Sequence, residues 1–262
     1  MALLSSSLDE VAYIYNIRGT DIPYCTVALA YSMITKESAF LFIDANKLDS
    51  HVLSELQAAG VDVRPYDEVK EKVAQHIHSS GSSGSSRKIW MDSHATSSAI
   101  FHSVPAARRI VRPSPVSLMK ACKNSAEQSG MRTCHLRDAA AVVETLAAVD
   151  DLLGLKMKVT EVMLDEMLCH YRKSVAGMLY PSFPTIAGIN SNGAIIHYRA
   201  VPETCKATGE AGACLFFVYI CYVQCVLCSC ALCPMCYTLT PTPPPPRLRP
   251  ASAPPLWRSE EH

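Results

Sequence analysis

One histidine in this chain stands where a side chain could meet a ligand. In the stretch PSFPTIAGINSNGAIIHYRAVPE, residues 181–203, two apolar runs flank Asn190, Ser191, Asn192 and Gly193, and His197 lies shortly beyond the turn. An Asn-Gly pair between apolar runs is a strong short-range hairpin signal. The spacing predicts a strand over FPTIAGI, a turn, and a second strand AIIHY that holds the imidazole at the mouth of a cleft. Imidazole changes charge near neutral pH without a perturbing environment, so it suits ligand binding and proton transfer. A lone strand histidine is more often a packing or surface residue. Its role here therefore depends on its surroundings.

Other residues of chemical interest are weaker candidates. His76 and His78 precede a Gly/Ser run and His94 and His102 follow it. Positions i and i+2 of a helix point to different faces, and no carboxylate or thiol stands at ligand spacing, so these four read as surface histidines. His135, Asp138 and His170 fall on amphipathic segments, where charged side chains commonly form the solvated face or an ion pair. The run SSGSSGSS, residues 79–86, has the composition of a flexible coil and reads as a surface-loop expansion. Lys88 follows it at the wrong spacing for a phosphate-binding loop.

Residues 1 to about 120 must supply a scaffold, and their pattern alternates strands and helices. AFLFI is an apolar strand, Asp49 and Ser50 can cap the helix SHVLSELQAAG, and Gly60 stops it. VDVRPY follows as a strand, DEVKEKVAQHIH as a helix with Val69, Val73 and Ile77 on one face, then KIWMD and RRIVRP as short strands. Such alternation predicts βαβ units and a sheet that is at least partly parallel. Residues 122–175 are the most helical part. Asn124 can cap a long helix with Met131, Leu136, Ala139, Ala140, Val143, Leu146 and Ala147 as its apolar stripe, and a second helix opens at Thr160 and ends at Gly177.

The stretch around His197 resembles the opening of the catalytic domain of Xaa-Pro aminopeptidases, the aminopeptidase P branch of the creatinase and prolidase ("pita-bread") metallopeptidase family. LDEVAYIYNIRGTDIPY at 8–24, KIWMDSHATSSAI at 88–100 and KACKNSAEQSGMRTCHLRDAAAVVETL at 120–146 extend the resemblance, in the family's order, over most of residues 8–204. It implies an α/β chain in three parts. Residues 1–121 are expected to form a partial creatinase N-terminal-like α/β domain, and residues 122–204 the incomplete start of a pita-bread peptidase domain. Residues 205–262 are expected to be a non-homologous Cys/Pro-rich, irregular tail. The resemblance also makes His197 a substrate-binding residue.

Members of that family bind two divalent metals, typically manganese, through two Asp, one His and two Glu that all follow the histidine matched by His197. Two hard cations side by side need several carboxylates, and together they generate a hydroxide nucleophile. In this sequence no Asp follows Asp165, the Glu residues beyond 204 are Glu210, Glu260 and Glu261, and the later His is His262. No catalytic residue and no metal ligand is therefore expected within the chain, and the manganese ions are implied by the family alone.

The tail admits several readings. Residues 213–246 carry no charge, and 214–239 are long enough to span a bilayer. The abundance of Cys and Tyr, and Pro234 near the end, argue against a membrane helix. Cys225 with Cys228, and Cys230 with Cys233, have zinc-ligand spacing, yet the pairs nearly overlap where zinc folds separate them widely. A Pro-rich tract, TPTPPPPRLRPASAPP, follows. A retained intron, a frameshift or a wrong gene model accounts for all these features at once.

Charge excludes some partners. With 24 basic and 24 acidic residues in 262, nothing argues for nucleic acid. MALLSSSLDEVA lacks the basic and apolar regions of a signal peptide, so a cytoplasmic protein is expected. Two functions follow. The first is a fragment resembling a cytosolic metallo-aminopeptidase that removes the residue before proline, inactive for want of metal ligands. The second is a non-catalytic interaction or dimerisation protein, attached to a membrane through 214–239 if at all. A proline-containing peptide and a second copy of the chain are the expected partners.

Overall fold

A computed structural model describes residues 1–79 and 86–208, together with the backbone of 215–218 and 237–238. Most of the Gly/Ser run, the CxxC pairs, most of the apolar stretch 214–239 and the Pro-rich tract lie outside the described residues.

In chain order the elements are β1 (Ala2–Ser5), α1 (Leu8–Tyr15), β2 (Ile17–Arg18), β3 (Ala30–Ile34), β4 (Ala39–Ile43), α2 (Ser50–Ala58), β5 (Val61–Arg64), α3 (Val69–His78), β6 (Ile89–Met91), α4 (Ser98–Ser103), β7 (Arg109–Val111), α5 (Pro115–Ala121), α6 (Ser125–Gly154), α7 (Glu161–Ser174), β8 (Ile186–Ile189), β9 (Leu215–Val218) and β10 (Tyr237–Thr238).

Six strands form one mixed sheet in the order β5-β4-β3-β1-β6-β7. The pairs β4/β5, β1/β6 and β6/β7 are parallel, whereas β3 runs antiparallel to both its neighbours. Helices cover both faces. Val69, Val73 and Ile77 of α3 and Ile100 of α4 pack with Leu4, Met33, Phe42 and Met91 on one side. Val11 and Tyr15 of α1 and Val52 and Leu56 of α2 pack with Leu41 and Ile43 on the other. A strand covered on both faces reads as an unbroken apolar run, which is why AFLFI is legible as β4.

The predicted caps are present. The Asp49 carboxylate accepts from Val52 N at 2.8 Å, and Gly60, just past α2, has φ +75°, a backbone that a side chain would oppose. Two strands of this sheet escaped the sequence pattern. β1 is four residues long and merges into a serine run, and β3 is interrupted by Ser32. Ser32 is buried because its hydroxyl pairs with Tyr15 Oη at 2.9 Å, and the Tyr15 hydroxyl donates to Phe40 O at 2.8 Å. Burial pushes the Tyr15 phenol up to about 12.

The second half is built on α6 and α7. Asn124 and Glu127 close a reciprocal capping box at the start of α6, with Glu127 N to Asn124 Oδ1 at 2.9 Å and Asn124 N to Glu127 Oε2 at 2.8 Å. Most of the apolar stripe read from the sequence of α6 faces solvent. Leu136 is 76% exposed and Val143 63%, while Ala141, Thr145 and Val149 turn inward in the α6–α7 layer, where Val149 packs with Leu164. α6 has apolar residues on two faces, and the inward one is selected by pairing. Thr145 Oγ1 donates to Ala141 O at 2.8 Å, and Arg172 of α7 grips Asp138 at 2.7 and 3.3 Å, so these polar groups can be enclosed without loss. α7 ends at Ser174, before Gly177.

The predicted hairpin is also replaced. β8 forms, but residues 190–194 make a short 3-10 turn and no strand runs through Ile195 to Tyr198. β8 pairs instead with β9, Ile186 opposite Val218 and Ile189 opposite Leu215. Among the described residues no helix is long and apolar enough to cross a membrane.

Candidate functional site

The turn that carries His197 is organised from beneath by a carboxylate. Glu161 is the first residue of α7, held at the helix N-terminus by its cap Thr160, whose hydroxyl accepts from Met163 N at 3.1 Å. Its side chain is fully buried and accepts four hydrogen bonds. Ile189 N approaches Oε1 at 2.5 Å, and Tyr198 Oη at 2.7 Å, Lys206 N at 2.9 Å and Asn192 Nδ2 at 3.0 Å approach Oε2. Burial alone would raise this carboxyl. The donors from Tyr198, Ile189, Lys206 and Asn192 outweigh it and hold the group below the usual carboxylate range. The positive end of the α7 dipole acts in the same direction. The Tyr198 phenol, buried and facing this charge, is pushed up to about 12.

His197 stands above that centre. Ile195 N donates to Asn192 O at 3.1 Å and Tyr198 N to Ile195 O at 3.2 Å, closing two successive tight turns. His197, inside the second, has φ +54°, a left-handed backbone unusual for a residue with a side chain. Gly188 permits the close approach underneath, since a Cβ there would lie 2.7 Å from Gly193 N. The imidazole is exposed and lines a cleft of about 330 Å³ with Ile186, Gly188, Asn192, Ile195 and Ile196. Ile196 is 86% exposed, so the rim presents apolar surface beside one titratable ring. His197 thus sits at a cleft as expected, on a turn and not on a strand. Capture of Ile189 N and Asn192 by Glu161 coils the chain where the Asn-Gly signal predicted an extended return.

Sequence reasoning missed Glu161, Tyr198 and Asn192. Glu161 reads as an ordinary first-turn acid, and nothing local reveals donors from residues 189, 192, 198 and 206. His76 is a further correction: it is 7% exposed, on the core side of α3 beside Val73 and Ile77, and its Nε2 has no hydrogen-bond partner among the described residues. His78, His94 and His102 are exposed as expected. Asp138 forms an ion pair with Arg172. A larger cleft, about 560 Å³, lies at the C-terminal ends of β4 and β5 beside Lys47, Arg64 and Tyr66 and shares no residue with the His197 cleft.

Among the described residues no group of three or more His, Cys, Asp or Glu is placed to hold a metal ion. The carboxylate beside the His197 turn, Glu161, has its oxygens committed to four donors. The described residues do not fit a dinuclear centre.

Residues 1–127 match the family model of the creatinase/prolidase N-terminal domain, and residues 129–241 match that of metallopeptidase family M24. Aminopeptidase P1 of Arabidopsis thaliana is 34% identical over 242 residues, covering 78% of this chain and 38% of the relative. A probable Xaa-Pro aminopeptidase P of Tuber melanosporum is 38% identical over 212 residues, covering 77% and 34%. The crystal structure of an X-prolyl aminopeptidase from Caenorhabditis elegans, described as a cytosolic enzyme with a di-nuclear active site, superposes with a TM-score of 0.73 at 30% identity, over 82% of this chain and 34% of that one. An Xaa-Pro dipeptidase from Bacillus anthracis, at 16% identity and a TM-score of 0.51, shares the fold over 75% of this chain. The chain spans 38% of the length of the first relative and 34% of the second. Two adjoining family models, the relatives and the superposition agree, and the chain belongs to the creatinase/prolidase-type M24 metallopeptidases of the Xaa-Pro aminopeptidase branch.

Proposed function

We propose that this chain contributes the peptide-binding entrance of an Xaa-Pro aminopeptidase, with His197 contacting a proline-containing peptide, and that the 262-residue polypeptide by itself performs no hydrolysis. The observation that carries the first part is the exposed imidazole at the rim of an apolar cleft of about 330 Å³. Pairing an apolar wall with a single polar group suits a short peptide whose proline ring is apolar and whose carbonyl needs a donor. The second part rests on the donor set. Among the described residues that line the cleft there is none of the carboxylates that two manganese ions would require, and the sequence beyond 204 offers Glu210, Glu260, Glu261 and His262 with no Asp. On this reading the division near residue 121 separates a scaffold from the peptide-binding part, and the protein works in the cytoplasm.

The experiment is peptidase activity of the purified 262-residue chain on an alanyl-proline-containing peptide with and without Mn²⁺, beside equilibrium binding of the same peptide. Binding without turnover, weakened in His197→Gln, is expected. Turnover sensitive to chelation would overturn the inactive part, and absence of binding would overturn the peptide-binding part.

A second reading has its own observation. The exposed stripe of Leu136, Val143 and Leu146 on α6 is an apolar face of the kind that marks an interface, which favours a non-catalytic interaction protein that pairs with a second copy or a longer relative. Sedimentation of the chain alone tests it. A strictly monomeric species across the micromolar range argues against pairing with itself, and mixing with a full-length relative tests the other partner.

A further inference from the structure

We infer that Glu161 is a positioning residue whose buried carboxylate clamps both flanks of the turn that carries His197 and so fixes how the imidazole is presented to a ligand. The role given to His197 rests on the peptide-binding reading. The clamp itself is argued from geometry.

Asn192 and Tyr198 bracket the turn, and each donates to Glu161 Oε2, at 3.0 and 2.7 Å. Asn192 Nδ2 also lies 2.9 Å from Tyr198 Oη, so the two flanks touch each other as well as the carboxylate. Ile189 N, where β8 gives way to the turn, donates to Oε1, and Lys206 N closes the far side on Oε2. The Lys206 ammonium reaches Ser191 Oγ within the same turn. One acceptor group therefore draws on four segments of chain, and none of the four groups that donate to it carries a formal charge.

The distribution of burial gives this arrangement its meaning. Glu161, Asn192 and Tyr198 are enclosed, while Ile195, Ile196 and His197 between them point to solvent and contribute nothing to the core. A buried ionised network is seldom the most stable filling for such a space, since apolar side chains of similar volume commonly do as well or better. What the network supplies is a single geometry. His197 keeps its left-handed backbone, φ +54°, only while the residues on either side over-determine it.

The test is hydrogen exchange read by mass spectrometry over residues 186–198 and, as internal control, over residues 30–43 of the sheet. It is run on the 262-residue chain from neutral to acidic pH and corrected for intrinsic rates, with binding of fluorescent alanyl-proline dipeptide measured in parallel. In the wild type, residues 186–198 are expected to be protected at pH 7 and to lose protection as the carboxylate titrates. Glu161→Gln should be less protected by about ten-fold already at pH 7, since each lost bond to a charged acceptor is worth about that factor, and should lose the acid step. Tyr198→Phe should give a smaller loss confined to the same residues. Residues 30–43 should match the wild type throughout.

Unchanged protection in Glu161→Gln overturns the inference, and so does a loss shared equally by residues 30–43. No local change in Tyr198→Phe overturns it too. If the dipeptide binds the wild type, Glu161→Gln and His197→Gln should both weaken it, and weakening by His197→Gln alone counts against the clamp. If the dipeptide fails to bind the wild type, the peptide-binding reading falls while exchange still decides the clamp.

Discussion

The phenol of Tyr198 donates to the carboxylate of Glu161 at 2.7 Å, joining the residue after His197 to the first residue of a helix 37 positions earlier in the chain. Both groups are buried, so each depends on the other for satisfaction, and hydrogen bonds to charged acceptors are worth roughly twice neutral ones. Tyr198→Phe keeps the ring and removes the donor. It is expected to lower unfolding stability by about 1–3 kcal/mol, read by urea denaturation, and to raise the Glu161 carboxyl toward its ordinary value. A depressed carboxyl contributes stability that is present above the unfolded-state value and lost as pH falls through the folded-state one, because the unfolded chain then binds the extra proton. The wild type should therefore lose stability below about pH 4.3, and Glu161→Gln should be flatter there.

Gly188 and Gly193 form the second constraint on the same turn. A Cβ on residue 188 would lie 2.7 Å from Gly193 N and 2.8 Å from Gly193 Cα, distances at which backbone must move. Gly188→Ala should therefore cost about 1–3 kcal/mol and displace the turn relative to β8. The comparison with Gly154→Ala is the control, since a Cβ at 154 meets nothing within 4 Å. Equal stability of the two variants would remove Gly188 from the account.

How much of this was legible from the chain follows from the range of the interactions. β4, α2, α3 and the caps at Asp49 and Asn124 are set by residues within a few positions of one another, and local pattern finds them. β1 and β3 owe their places to pairing across the sheet and to the buried contact of Tyr15 with Ser32, which no short window contains. The Asn-Gly signal for a hairpin was real as local propensity but lost to a carboxylate 28 residues earlier that binds Ile189 N. The outward stripe of α6 was likewise periodic, and periodicity alone does not say which of two apolar faces finds a partner.

Asp138 and Arg172 tie α6 to α7 at 2.7 Å with side chains only 12% and 10% exposed. Breaking such a pair from one side takes this partner away from a largely buried charge, whereas replacing both partners with apolar residues of similar size is often tolerated. Asp138→Asn should cost about 3 kcal/mol, and Asp138→Leu combined with Arg172→Met should recover most of it. A double-mutant cycle by chemical denaturation measures the coupling; additive losses would mean that the two side chains act independently.

His76 offers a separate pH response in the other half of the chain. Its imidazole is buried on α3, its Nε2 has no hydrogen-bond partner among the described residues, and burial, helped by the nearby charge of Arg87, holds it below the ordinary histidine value. The folded state thus resists a proton that the unfolded chain accepts. Stability from this group is full above the unfolded-state value of about 6.5 and falls as pH drops below it. His76→Leu keeps the apolar contacts beside Val73 and Ile77, removes the orphaned nitrogen, and should leave stability at pH 7.5 near or above wild type. Thermal unfolding measured from pH 7.5 to 5.5 should decline in the wild type and be flatter in the variant. A decline equally steep in both would assign the pH dependence to other groups.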